Sequence, residues 1–294
     1  MRANRAGGNP AVAGRWRARL MLAPAALWFT LFLIAPLTVM LVVSFGERAP
    51  NGGYQPALTL AQYQELPTRL VPLVNTLRMG ALGTVLCLLV AYPLAYYLAT
   101  RAGSRRTLLL ALIVIPLWTS FLIRTYAWMF LLGSSGLPRV FAALGVLEQV
   151  RLLNTPFAVL LGIVYNYLPL MALPIYVSLE RLDDSLRQAS KDLGAGPAGT
   201  FLQVTLPLSA PGVISGCLLV FIPVTGEYLI PVLLGGGQTY FLGNALADLF
   251  LQSRNWPFGA ALATAFVALM ALVIALYTYA TRRLTGPQGE ASLL

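Results

Sequence analysis

Two charged side chains, Arg124 and Glu227, stand inside otherwise apolar runs. An ionised carboxylate within a bilayer costs about 2.5–3.5 kcal/mol, so such a group normally faces a pore, a partner or a cation. Glu227 can line a path and replace part of a cation's lost hydration, or it can pair with Arg124. Trp118, Tyr126 and Trp128 share the run that holds Arg124. They can cradle an ammonium by cation–π contact or anchor the end of a span at the interface. Asp248, further on, can attract cations, contact a delivery protein or simply be solvated. A third constellation is polar. Gln188–Gly194 reads Q-A-S-K-D-L-G, nine residues follow, and Val204–Pro207 reads V-T-L-P.

Other chemistries are excluded by composition. Histidine is absent, which removes imidazole triads and His-ligated metals. The single lysine, Lys191, belongs to no G-x-x-x-x-G-K-[ST] sequence, so this chain has no P-loop for ATP. Cys87 and Cys217 both fall in apolar runs and suggest neither a disulfide framework nor a zinc site. No metal, cofactor or catalytic residue is expected in the chain.

The elements that must position these residues are membrane spans. Apolar residues make up 58% of the chain, charged residues only 10%, and the mean hydropathy is +0.74. Charge-poor runs of spanning length predict six helices, at about Met21–Phe45, Leu73–Ala99, Thr107–Leu132, Pro156–Leu179, Pro211–Leu234 and Gly259–Thr281. The fold class is therefore all-α and polytopic. Residues 1–20 form a basic arm, 21–281 one membrane domain, and 282–294 a tail. The arm is Gly/Ala-rich and expected to be disordered. The apolar run after it is too long for a cleaved signal and predicts an uncleaved anchor.

Arginine placement orients the bundle. With the N-terminus inside, the inner segments carry Arg2, Arg5, Arg15, Arg17 and Arg19, then Arg101, Arg105 and Arg106, then Arg181, Arg187 and Lys191, then Arg282 and Arg283. The outer segments carry only Arg48, Arg69, Arg139, Arg151 and Arg254. This bias places both termini and the 180–210 loop in the cytoplasm. The net charge of +10 is thus topological and not a nucleic-acid footprint.

The inner loop has its own grammar. Asp183 can cap a short helix through Leu193, with Asp184 favourable in its first turn. Gly194 and Gly196-Pro197 break that helix, Gly199 or Thr200 can start another, and Pro207 and Pro211 bracket entry into the fifth span. Such a helix–turn–helix knob can sit in a groove on a partner. Leu242, Leu246, Leu249 and Phe250 recur at helical spacing in Tyr240–Ser253, a segment that can lie on the outer interface or re-enter the membrane.

The Gln188–Pro207 pattern resembles the cytoplasmic EAA loop of ABC importer permeases. Ala189, Gly194, Leu206 and Pro207 match that pattern, Val204 replaces Ile, and Gln188 and Ser190 depart at the Glu and the second Ala. The likeness covers about Leu22 to Thr281. Asn75–Arg78 (N-T-L-R), Ala91–Tyr96 (A-Y-P-L-A-Y), Pro116–Trp128 (P-L-W-T-S-F-L-I-R-T-Y-A-W), Gly226–Pro231 (G-E-Y-L-I-P), Phe241–Asn244 (F-L-G-N) and Asn255–Ala260 (N-W-P-F-G-A) are similar to permeases of the spermidine/putrescine type, most like the first of their two permeases. Val232 departs where relatives often carry an acid. The resemblance implies a type I ABC permease fold of six spans in a bacterial inner membrane. It also implies a second homologous permease, two cytoplasmic ATPases that spend the ATP, and an external binding protein. Two alternatives are an ABC permease for another small solute and a secondary transporter. The latter would carry more intramembrane charges than Arg124 and Glu227, and no internal repeat is evident.

Overall fold

The computed structural model describes residues 21–145 and 151–285. The basic arm 1–20 and residues 286–294 of the tail lie outside the described residues. Helix α1, Met21–Val43, contains a π turn at Thr30–Ile34. A two-stranded antiparallel ribbon follows, β1 (Glu47–Arg48) with β2 (Tyr54–Gln55), then the short α2 (Ala61–Gln64). Next come α3 (Leu70–Thr100), α4 (Arg106–Trp118), α5 (Phe121–Leu132), α6 (Leu137–Ala143) and α7 (Pro156–Glu180). The chain continues through α8 (Asp184–Asp192), α9 (Pro197–Thr225), α10 (Leu229–Gly235), α11 (Leu242–Ala247) and α12 (Trp256–Thr285).

Among the described residues, five helices are long and apolar enough to cross a membrane, or six if the bent pair α4–α5 counts as one span. The third span is therefore not the straight helix expected over Thr107–Leu132. Thr119 and Ser120 are extended, and the flanking helical segments meet at 96°. The fifth span also departs from expectation. It starts at Pro197 rather than Pro211, ends at Thr225, and is followed by a separate α10. Pro207 does not open it, because a π turn at Phe201–Thr205 widens the helix just before the proline ring. The sixth helix runs past the expected Thr281 to Thr285.

The described residues divide into two compact units, one from residues up to 67 and from 248 onward, the other within 68–247. In the first, α1 packs along α12 and buries none of its own side chains. In the second, α3, α7 and α9 form a three-helix core around Cys87, Ala91, Ile163, Met171, Ile175 and Val220. Small residues let these backbones approach. A Cβ added at Gly216 would lie 2.9 Å from Met171 Sδ, and one at Gly83 would lie 2.8 Å from Ile163 Cγ2. Tyr92 on α3 and Ser209 on α9 share a buried hydrogen bond of 2.9 Å.

Candidate functional site

Two breaks in apolar helices expose backbone in the 68–247 unit, and the polar residues singled out from sequence gather at them. The first separates α4 from α5. Trp118 ends α4 and is 83% exposed, Tyr126 on α5 is 46% exposed, and Arg124 lies between them in sequence. The Arg124 guanidinium sits 5.8 Å from the Phe121 ring centroid. Its Nε and Nη1 atoms are buried and have no hydrogen-bond partner among the described residues. Trp128 packs edge-on against Tyr165 at 5.3 Å, a structural contact and not a free aromatic face.

The second break, Gly226–Tyr228, separates α9 from α10 and contains Glu227. Gly226 and Glu227 N–H still reach back to the Pro223 and Val224 carbonyls, at 3.1 and 3.2 Å, and the Glu227 side chain takes up the next two amides, at the start of α10. Glu227 Oε1 accepts from the N–H groups of Tyr228 at 3.0 Å and Leu229 at 2.8 Å. The Tyr167 hydroxyl of α7 donates to Oε2 at 2.9 Å. Glu227 is thus a cap on α10 strapped to the bundle core, held outside the regular helix in which sequence placed it.

Arg124 and Glu227 form no ion pair among the described residues. The Phe121 and Tyr167 rings, 6.3 Å apart, lie in the chain of contacts that leads from one to the other.

The F-L-G-N and N-T-L-R motifs fix this second break. Asn244 Nδ2 donates to the Tyr228 carbonyl at 3.1 Å, and its Oδ1 accepts from Phe241 N–H at 2.9 Å. Gly243 passes so close to the break that a Cβ there would lie 2.9 Å from the Glu227 carbonyl. On α3, the Thr76 hydroxyl accepts from Leu242 N–H at 2.7 Å. Tyr167 and Asn244 were not singled out from sequence. Asn244 belongs to the F-L-G-N motif, whereas a tyrosine in an apolar run gives no local signal of a carboxylate partner 60 residues away.

The 180–210 loop forms the expected knob. Asp183 caps α8 by accepting from Ser185 N–H at 2.9 Å. That backbone hydrogen bond holds its carboxyl below the usual carboxylate range. A carboxyl depressed in the folded state stabilises at neutral pH and loses that contribution as pH falls through its lowered pKa. Gly194 turns the chain with φ +85°. Gly196 then caps the start of α9 at Pro197, earlier than the expected Gly199 or Thr200, and no gap separates it from the fifth span. Ser190 reaches Thr200 at 3.2 Å and ties the two arms of the knob. Gln188, Ala189, Gly194, Leu206 and Pro207 are exposed, while Ser190 and Val204 are half-buried.

Helices long and apolar enough to cross a membrane, with an exposed knob between α7 and α9, are the architecture of a polytopic membrane protein. The sequence matches the family described as binding-protein-dependent transport system inner membrane components over residues 11–286, and the chain belongs to that family. As a member it is a transport subunit of an inner membrane and not an enzyme. The spermidine/putrescine transport system permease protein PotB of Haemophilus influenzae is 41% identical over 261 residues, covering 87% of this chain and 91% of the relative. PotB of Escherichia coli K12 is 38% identical, covering 87% and 95%. The inner membrane ABC transporter permease protein YdcU of the same organism is 30% identical, covering 90% and 88%. The fold is shared with a chain of a bacterial ABC transporter involved in import of the acidic polysaccharide alginate. The TM-score there is 0.73 at 18% identity, over 94% of this chain and 99% of that one.

Proposed function

We propose that this chain is one of two homologous permeases of an ATP-driven polyamine importer, forming half of the path for spermidine or putrescine. The observation that carries this reading is the 41% identity to a spermidine/putrescine permease along nearly the whole length of both chains. Residues 21–281 form the membrane domain, with both termini cytoplasmic. An external binding protein delivers the solute. Two cytoplasmic ATPases complete the complex, and one of them grips the knob at Gln188, Ala189, Ser190, Gly194, Val204, Leu206 and Pro207. ATP is spent in those chains and this one holds no cofactor. Trp118, Tyr126, Arg124 and Glu227 stand at the two breaks and contribute to the path. Support for Glu227 comes from its open surroundings: Gly226 and Tyr228 on either side are exposed. A carboxylate accepting three hydrogen bonds also retains acceptor capacity for an ammonium.

The purified chain alone is expected neither to hydrolyse ATP nor to accumulate spermidine. Reconstitution with two ATPases, a second permease and the binding protein should restore both. Uphill uptake by this chain alone, driven by a proton or sodium gradient, would overturn the reading.

Gly194 tests the knob. A valine there meets open space, since no atom lies within 4 Å of its Cβ. Its left-handed backbone nevertheless costs a branched residue about 1–2 kcal/mol. Gly194→Val should therefore insert normally while coupled uptake falls about tenfold, in line with that strain. Wild-type uptake with a normally assembled ATPase would remove the knob from the coupling route.

A further inference from the structure

Outside these breaks, a charged pair joins the root of the knob to α4. Arg106 is the first residue of α4 and Glu180 the last of α7, and their side chains form an ion pair. The Arg106 guanidinium also lies 5.0 Å from the ring centroid of Tyr176, one turn back on α7. Each charge alone sits at the wrong pole of its helix. Unsatisfied N–H groups make a helix start partly positive, and unsatisfied carbonyls make its end partly negative. Pairing offsets both mismatches. The two side chains remain 37% and 40% exposed, and pairs that wet contribute little to stability. The arrangement therefore points to alignment more than to holding the fold together.

What it aligns follows from where the two helices lead. Only Arg181 and Leu182 separate Glu180 from Asp183, the cap of knob helix α8. In the other direction, α4 buries no side chain completely. Leu109, Leu110 and Ile113 lean on the core, and among the described residues no α4 side chain beyond Ile113 does so. The helix ends at exposed Trp118 and the Thr119–Ser120 break. Its 13 residues span about 20 Å at 1.5 Å per residue. It is a rod whose contacts with the core cluster lie toward its knob end and whose other end carries the exposed Trp118.

We propose that the Arg106–Glu180 pair is the contact through which the knob moves α4, making both residues positioning residues for the candidate path at Trp118. This rests on the permease reading above. The test uses the complete transporter in proteoliposomes, with Thr119→Cys as reporter in a Cys87→Ala/Cys217→Ala background. Maleimide labelling of Thr119→Cys should change rate when ATP and vanadate are added. Arg106→Gln and Glu180→Gln should each abolish that change. They should also raise the ATP hydrolysed per spermidine imported at least about fivefold, the lower range for coupling between sites. The swap Arg106→Glu with Glu180→Arg keeps the pair and puts each charge at the pole its helix favours. It should restore both readouts and carries the test if either single variant fails to assemble. Wild-type labelling and stoichiometry in the assembled single variants would overturn the proposal, as would a swapped complex as uncoupled as they are. The labelling arm needs no solute. A wild-type complex that responds to ATP and vanadate but imports no spermidine would refute the substrate and leave this inference standing.

Discussion

Glu227→Gln is expected to abolish most polyamine uptake while leaving the assembled transporter intact. Glutamine keeps an oxygen that can accept from Tyr228 and Leu229 N–H, as Glu227 Oε1 does now. Its amide can donate to the Tyr167 hydroxyl, which now donates to Oε2. The cap on α10 survives with weaker bonds, since hydrogen bonds to charged groups contribute about 1.5–3 kcal/mol and neutral ones about 1. An ammonium shedding water in the path loses its counter-charge altogether. Uptake should therefore fall at least about a hundredfold, the equivalent of roughly 2.8 kcal/mol. Expression and docking of the binding protein should stay near wild type. Tyr167→Phe removes one bond and no charge, and should lower stability more than uptake. Because Arg124 makes no ion pair with Glu227, adding Arg124→Gln to Glu227→Gln should not rescue transport. Recovery of uptake in the double variant would show the two to be a structural pair. A normal rate in the assembled Glu227→Gln complex would take the carboxylate out of the path.

Gly212→Val should prevent the permease from accumulating in folded form. A Cβ at Gly212 would lie 2.5 Å from the Pro174 carbonyl oxygen and 2.5 Å from Ser178 Cβ. The first neighbour is backbone of α7 and cannot rotate aside. Relief requires separating α9 from α7, which opens the core of the 68–247 unit. Overpacking in a close-packed interior costs about 1–3 kcal/mol and more when backbone must shift. The measurement is the monodisperse yield after detergent extraction, with Gly196→Ala, which meets open space, as control. A Gly212→Val protein with wild-type yield and melting temperature would contradict the packing described for α7 and α9.

These outcomes also show what could be read without a structure. Apolar runs long enough to span a bilayer located all six candidate segments, because hydropathy reports length in lipid. It does not report direction, so the 96° turn at Thr119–Ser120 inside one such run left no trace. Prolines misled in the fifth span. Pro207 and Pro211 read as boundaries, yet the π turn at Phe201–Thr205 accommodates the first and the helix continues. The real boundary is Gly226–Tyr228, where the apolar run is unbroken except for Glu227. Two points of the knob were legible, although the start of α9 at Pro197 was not. Asp183 as cap and Gly194 as turn are local demands of the backbone that only a few residue types meet. The strap from Tyr167 to Glu227 and the Arg106–Glu180 pair depend on tertiary neighbours and have no local signature.

Half of an ATP-driven path for polyamines is the role proposed for this chain. The most direct measurement is uptake of radiolabelled spermidine into proteoliposomes holding the complete transporter, with ATP on the ATPase side and loaded binding protein on the other. Spermidine should accumulate only with ATP, unlabelled putrescine or spermidine should compete it away, and none should accumulate when this chain is omitted. Accumulation of another solute that spermidine does not compete with, or spermidine uptake unaffected by omitting this chain, would contradict it.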